Sequence, residues 1–199
     1  MMLSRGEKFS VGLDIGASSV KLIKLNHTKN GYFVSGLGIR ELPAEAIVSD
    51  EIRDREAVIF NIQSLIEQVD PNIKKVNVSV SGHGVITDKF TIDKKIGAEA
   101  EQAILFETEQ RAPFDVDDVT MDYHILRTDD ATNKMDVIMV AARNEFLIDF
   151  LGLLDECDLQ PGVVDTDAFA ALNAYLYNYD PDPERVTAVI NIGQDVTNV

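Results

Sequence analysis

Val11 to Lys21 reads VGLDIGASSVK, and this stretch decides the fold. An apolar strand delivers Asp14 and Gly16 into a tight turn. Ala17, Ser18 and Ser19 follow, and Lys21 sits near the start of a second apolar strand, Val20 to Leu25. A hairpin tip this rich in small and hydroxylated residues exposes several backbone N–H groups on one side, and such a concavity suits phosphate oxygens. The same chemistry returns at Val189 to Asn198, VINIGQDVTN. Two strand–turn–strand phosphate clamps, far apart in one chain, make a pattern that a single Gly-rich loop does not.

Each residue of these turns has a bland reading beside the chemical one. Asp14, at a strand end before a glycine, can hold a magnesium ion through water or simply cap the turn, as aspartates commonly do. The Lys21 ammonium can reach a terminal phosphate as a point charge, or remain a surface lysine at a strand edge. Ser18 and Ser19 are read as backbone N–H donors rather than hydroxyl ligands. In the second turn, Gly193 lets the backbone approach a phosphate closely, Gln194 and Asn198 flank it, and Thr197 adds a hydroxyl. Asn191 stands where an aspartate would mirror Asp14. An amide brings no negative charge to the metal, so metal affinity or catalytic power is expected to suffer. Asp165, ending the apolar run PGVVD, is the candidate catalytic carboxylate; it reads equally as a helix N-cap, with Thr166 and Asp167 as competitors.

Composition narrows the function. Eighteen basic against thirty-four acidic residues leave a formal charge of −16. A surface this acidic repels nucleic acid and disfavours direct adhesion to anionic lipid, so any membrane association is expected to run through a partner. The acidity serves solubility equally well. Hydrophobic residues make up 45%, enough for a packed core. The single cysteine, Cys157, excludes an intramolecular disulfide framework and reads as a small buried residue. His27, His83 and His124 fall on different elements with no ligand spacing. The N-terminal residues contain no apolar run long enough for a signal peptide or membrane span, and the protein reads as cytoplasmic.

The elements follow from periodicity. Phe9–Asp14, Val20–Asn26 and Tyr32–Leu42 read as strands, and Asp54–Val69 as a helix capped by Asp50 or Asp54, with Val76–Val80 a further strand. Residues 84 to 142 then read as strand (Asp88–Asp93), helix (Ala98–Arg111, stopped by Ala112-Pro113-Phe114), and the strands Val119–Arg127 and Met135–Ala142. Glu145–Asp158 is an amphipathic helix, Pro161–Asp165 a short strand and Thr166–Tyr179 a helix. The last strand and turn find no partner strand, so the chain reads as part of a longer protein.

These residues resemble the actin-like ATPase superfamily, which includes heat-shock chaperones, sugar kinases and FtsA. Within it the chain is similar to the PilM-like proteins of type IV pilus assembly. The blocks GLDIGASSVKLIKL, APFDVDDVTMDYHIL, VIMVAAR and PGVVDTDAFAALNAY carry the resemblance from residue 9 onward. It implies an α/β, ribonuclease H-like first subdomain at residues 9–83 and 143–185. An FtsA-like β-α-β-β insert would occupy 84–142, and a second actin-like domain would begin at 186. It also implies ATP and magnesium in a cleft, with the phosphates held by Asp14–Ser19 and Asn191–Asn198. The family's adenosine-binding glycine motif lies beyond this sequence, so the fragment alone is expected to bind ATP poorly, and any hydrolysis to be slow. Members dock the N-terminal cytoplasmic peptide of PilN, a single-pass inner-membrane protein, which would place the chain at the pilus platform indirectly. Self-association remains open. A small-molecule kinase using Asp165 as base, or an FtsA-like filament protein, are the alternatives.

Overall fold

The computed structural model describes residues 9–111, 115–182 and 184–198. By its contacts the chain divides into one unit of Met1–Gly82 with Leu151–Val199, and a second of His83–Phe150.

The first unit is built on a five-stranded mixed sheet. Its chain begins with β1 (Phe9–Ile15), β2 (Ser19–Thr28) and β3 (Gly31–Glu41), an antiparallel meander. A small hairpin follows, β4 (Ile47–Val48) and β5 (Glu51–Ile52), then α1 (Arg55–Val69) and β6 (Lys75–Val80). Later in the chain β10 (Gln160–Thr166) joins in parallel to β6, and β6 runs parallel to β1, giving the order β10-β6-β1-β2-β3. A meander followed by parallel strands is the expected ribonuclease H-like, actin-like arrangement.

The core of this unit lies between α1 and one face of the sheet. Val11, Leu13, Leu22, Val76 and Val78 are buried on the strands, and Val58, Ile62 and Leu65 on the helix. Full burial of such side chains is worth about 1.5–3 kcal/mol each. The helix starts where the Asp54 carboxylate accepts the Ala57 N–H at 3.0 Å. Asp50, the other capping candidate, instead sits in the β4–β5 turn, which sequence reading missed. Gly36 and Gly38 let α1 lie close on β3: a Cβ at either would stand 2.5 Å from Val69 or Leu65. Pro161 is tolerated because β10 is an edge strand, where its missing N–H costs no ladder bond to a further neighbour.

The second unit holds β7 (Val85–Asp93), α2 (Ala98–Arg111), β8 (Val119–Asp129) and β9 (Lys134–Arg143), with sheet order β7-β9-β8, all antiparallel. Strand, helix, strand, strand is the expected order of the insert. Phe90, Ile92, Met135, Val137, Met139 and Ala141 form its core with Ala100 and Ile104 of α2. Strand β7 begins earlier than its apolar alternation suggests, because Val85, Ile86 and Thr87 each find a ladder partner on β9. The Ala112-Pro113-Phe114 stop lies outside the described residues, and α2 ends at Arg111.

Helix α3 (Asn144–Glu156) leads from the second unit into the first, followed by β10 and α4 (Asp167–Asn178). Two short strands, β11 (Asn191–Ile192) and β12 (Thr197–Asn198), pair with each other. They are shorter than the Val189–Asn198 run implies.

Candidate functional site

Strands β1, β6 and β10 run in one direction, so their C-terminal ends share one edge of the sheet. Leu13 aligns with Val78, and Val78 with Val164; one residue further along lie Asp14, Ser79 and Asp165. In open α/β sheets ligands bind outside the carboxyl ends of parallel strands. Asp14 and Asp165 are therefore brought to the same edge.

At the first turn the Gly16 N–H donates to the Ser19 carbonyl at 3.1 Å, and the Ser18 carbonyl accepts the Leu42 N–H at 2.9 Å. The amides of Ala17 and Ser18 meet no protein acceptor among the described residues. Adjacent unpaired N–H groups of this kind form a concavity that can receive an anion. Ser19 is buried, which leaves Ser18 as the exposed hydroxyl of the tip. Gly16 does not have positive φ, and a Cβ there would meet its nearest neighbour, the Ser19 carbonyl oxygen, at 3.5 Å, an ordinary contact. The fold therefore does not demand glycine at 16. A Cβ there would also stand 3.9 Å from the Lys21 Nζ.

Asp14 and Lys21 are cross-strand partners, and the Lys21 Nζ donates to Asp14 Oδ2 at 2.7 Å. Both side chains are about half exposed, at 51% and 45%. The lysine thus offsets the aspartate's charge at the mouth of the turn while both remain in reach of solvent.

The second turn repeats the first residue for residue. Gly193 N–H donates to the Val196 carbonyl at 2.9 Å, and Asn191 pairs with Asn198 as Asp14 pairs with Lys21. Here glycine is obligatory, since a Cβ at Gly193 would lie 2.8 Å from the Val196 carbonyl oxygen. The amides of Gln194 and Asp195 again meet no protein acceptor among the described residues. Thr197, which faces Ile192 in the β11–β12 ladder, is exposed. No hydrogen bond or ion pair joins the two turns among the described residues. The second turn is tied to the rest of its unit at another point: Asp195 Oδ2 accepts the Ser49 N–H at 3.4 Å.

Asp165 is half-buried, and its Oδ1 accepts the N–H of the following residue, Thr166, at 2.8 Å. It is not the cap of α4; Thr166 is, accepting the Phe169 N–H through Oγ1 at 3.3 Å. The neighbour that sequence reading undervalued is Asp167. Ser79 donates to its Oδ1 at 2.5 Å and Ser81 to its Oδ2 at 2.7 Å, so both carboxylate oxygens are held by β6 and the residue just beyond it. The hint was the alternating VSVS of the strand, which places both hydroxyls on one side.

Among the described residues no group of three or more His, Cys, Asp or Glu is placed to hold a metal ion. No described helix is long and apolar enough to cross a membrane.

Sheet order, insert and paired turns together define an actin-like α/β protein. The model of the type IV pilus assembly protein PilM family matches residues 12–199, and the chain belongs to that family. Among solved structures it is similar to that of a PilM-PilN type IV pilus biogenesis complex, with 26% identity and a TM-score of 0.72 over 82% of this chain and 49% of the other. It is also similar in fold to the cytoplasmic domain of EpsL, an inner membrane component of the type II secretion system of Vibrio cholerae. There the identity is 17% and the TM-score 0.51, over 88% of this chain and 60% of that domain. The chain thus spans about half the length of the PilM chain it matches.

Proposed function

We propose that this chain is the first nucleotide-binding portion of a type IV pilus assembly scaffold. In this reading it binds ATP with magnesium and docks the N-terminal cytoplasmic peptide of a PilN-like inner-membrane protein. The observation that carries the nucleotide reading is the repeated hairpin. Gly16 and Gly193 make the same bond three residues ahead, and each is followed by two amides free of protein acceptors.

The residues divide the work by their chemistry. Ala17, Ser18, Gln194 and Asp195 offer backbone N–H groups to phosphate oxygens. Asp14 would hold the magnesium through water, and Lys21 would balance the charge beside it. MgATP would supply a cleavable terminal phosphate and the anionic oxygens that these N–H groups would receive. Asn191 contributes an amide where a second carboxylate would strengthen metal binding, so turnover is slow and the nucleotide acts as a switch. Such a switch requires that ATP bind one state of the protein better than the other.

Family membership and the likeness to a PilM-PilN complex support a PilN-type partner. The net charge of −16 agrees with a cytoplasmic protein that reaches the inner membrane only through that partner. A small-molecule kinase would need Asp165 as a base, and ATP turnover stimulated by a sugar would mark it. Calorimetry on the full-length protein with MgATP and with a PilN-type N-terminal peptide tests the reading: saturable binding of both is expected.

A further inference from the structure

The second phosphate turn lacks the Asp14–Lys21 ion pair of the first, with Asn191 and Asn198 in those places, and carries its one charge at the tip. Counted from the glycine, Ser18 of the first turn corresponds to Asp195 of the second. A carboxylate in a turn that offers N–H groups to phosphate is a local contradiction, because like charges at contact repel. The molecule resolves it by giving Asp195 a donor, the Ser49 N–H at 3.4 Å.

That donor is held in place from several sides. Ser49 and Asp50 are the two central residues of the β4–β5 hairpin, with φ of 51° and 69°. Left-handed values at both positions are those of a tight type I′ turn, a conformation most residues adopt at a cost. The turn is fixed against the end of β6. Gly82 has φ of +85°, and a Cβ there would lie 1.8 Å from Asp50 Oδ2, so the Asp50 carboxylate occupies the space a side chain would need. At its base the hairpin is tied to α1, since the Ala46 carbonyl accepts the N–H groups of Arg53 and Asp54 at 2.9 and 3.1 Å. The result is one exposed amide, Ser49, presented by a braced turn toward the one carboxylate of the second phosphate turn.

Resting on the nucleotide reading above, we infer that Asp195 and Ser49 form an autoinhibitory latch on the second phosphate turn. The carboxylate is docked on the Ser49 amide. It keeps a negative charge in the turn and restrains the turn against the β4–β5 hairpin. A polyphosphate must displace this arrangement, which sets a threshold on nucleotide binding that the first turn, with Ser18, does not impose.

The test measures two quantities on the full-length protein without and with MgATP. In D195A the hydrogen exchange of the Ser49 amide is expected to accelerate by about tenfold, the size of a hydrogen bond to a charged group at a partly exposed site. ATP affinity is expected to rise roughly fivefold, the factor one unit charge carries at contact distance in water. D195N keeps an acceptor without the charge, so it is expected to raise affinity while largely preserving Ser49 protection. Unchanged Ser49 exchange in D195A overturns the latch, whatever the nucleotide does. Accelerated exchange with unchanged or lower ATP affinity overturns the inhibitory role and leaves nucleotide binding standing. If neither wild type nor variants bind ATP, the nucleotide reading fails and the latch fails with it.

Discussion

Asp14 and Lys21 face each other across the first two strands, with the lysine Nζ 2.7 Å from the aspartate Oδ2. The pair stands at the mouth of a turn whose amides are free, and both partners remain about half exposed. An exposed pair of this kind contributes about 0–1 kcal/mol to stability. In the proposed reading its larger role is to set the charge that an approaching phosphate meets. Lys21→Ala is therefore expected to shift the melting temperature by no more than about 2–4 °C. It is expected to weaken ATP binding by about tenfold or more, the loss of one charge-assisted contact to phosphate. Equal ATP titrations of variant and wild type would sink the assignment.

Gly16 and Gly193 occupy matching positions but answer to different constraints. An Ala at 16 meets only an ordinary contact at 3.5 Å, whereas at 193 the Val196 carbonyl oxygen stands 2.8 Å away. Gly16→Ala is expected to fold like wild type and to lose nucleotide affinity, because its methyl group stands 3.9 Å from the Lys21 Nζ and crowds the lysine proposed to meet phosphate. Gly193→Ala is expected to loosen its hairpin, seen as faster hydrogen exchange of its own amide. Loss of fold in Gly16→Ala would show that the glycine is structural after all.

How much of this was readable beforehand varies by element. The DIG turn was legible because glycine, serines and flanking apolar strands are all local signals. The hairpin at Ile47–Ile52 was not: its strands are two residues each, too short for alternation, and Ser49-Asp50 lacks the Asn-Gly signature of a type I′ turn. The bracing of Asp167 by Ser79 and Ser81 was half legible: the VSVS alternation puts both hydroxyls on one side but names no partner for them. The bracing depends on β6 and β10 pairing in parallel across a long crossover, which nothing in either segment announces. Helix α4 is rich in Ala, Phe, Leu and Tyr, yet none of its residues is buried, and Leu176 is 51% exposed.

The acid response of the fold has one prominent contributor. Lys24 donates to Asp70 at 2.5 Å, and this bond, aided by the N–H of Asn72, holds the Asp70 carboxyl down at about 2. A carboxylate lowered in the folded state stabilises above its ordinary range near 3.8 and loses that stabilisation as pH falls toward 2. Asp70→Asn is expected to be less stable than wild type at neutral pH. Its stability is also expected to fall less steeply between those two values in acid-unfolding curves. Parallel curves would contradict the assignment.

Cys157 is a free thiol, 7% exposed. Burial, reinforced by the neighbouring Glu156, pushes its pKa up to about 11. The thiolate is the reactive form, so native protein at pH 8 is expected to react with a thiol reagent far more slowly than unfolded protein. Equal rates would mean that the site opens readily or that the thiol is not shielded.

The central claim is that this chain serves a pilus assembly scaffold that binds nucleotide and an inner-membrane partner's cytoplasmic peptide. Its most direct test is calorimetry of the full-length protein titrated with a PilN-type N-terminal peptide, in MgATP and without it. The account expects saturable peptide binding whose affinity differs between the two conditions. Absence of peptide binding in both, together with no heat from ATP itself, would contradict it.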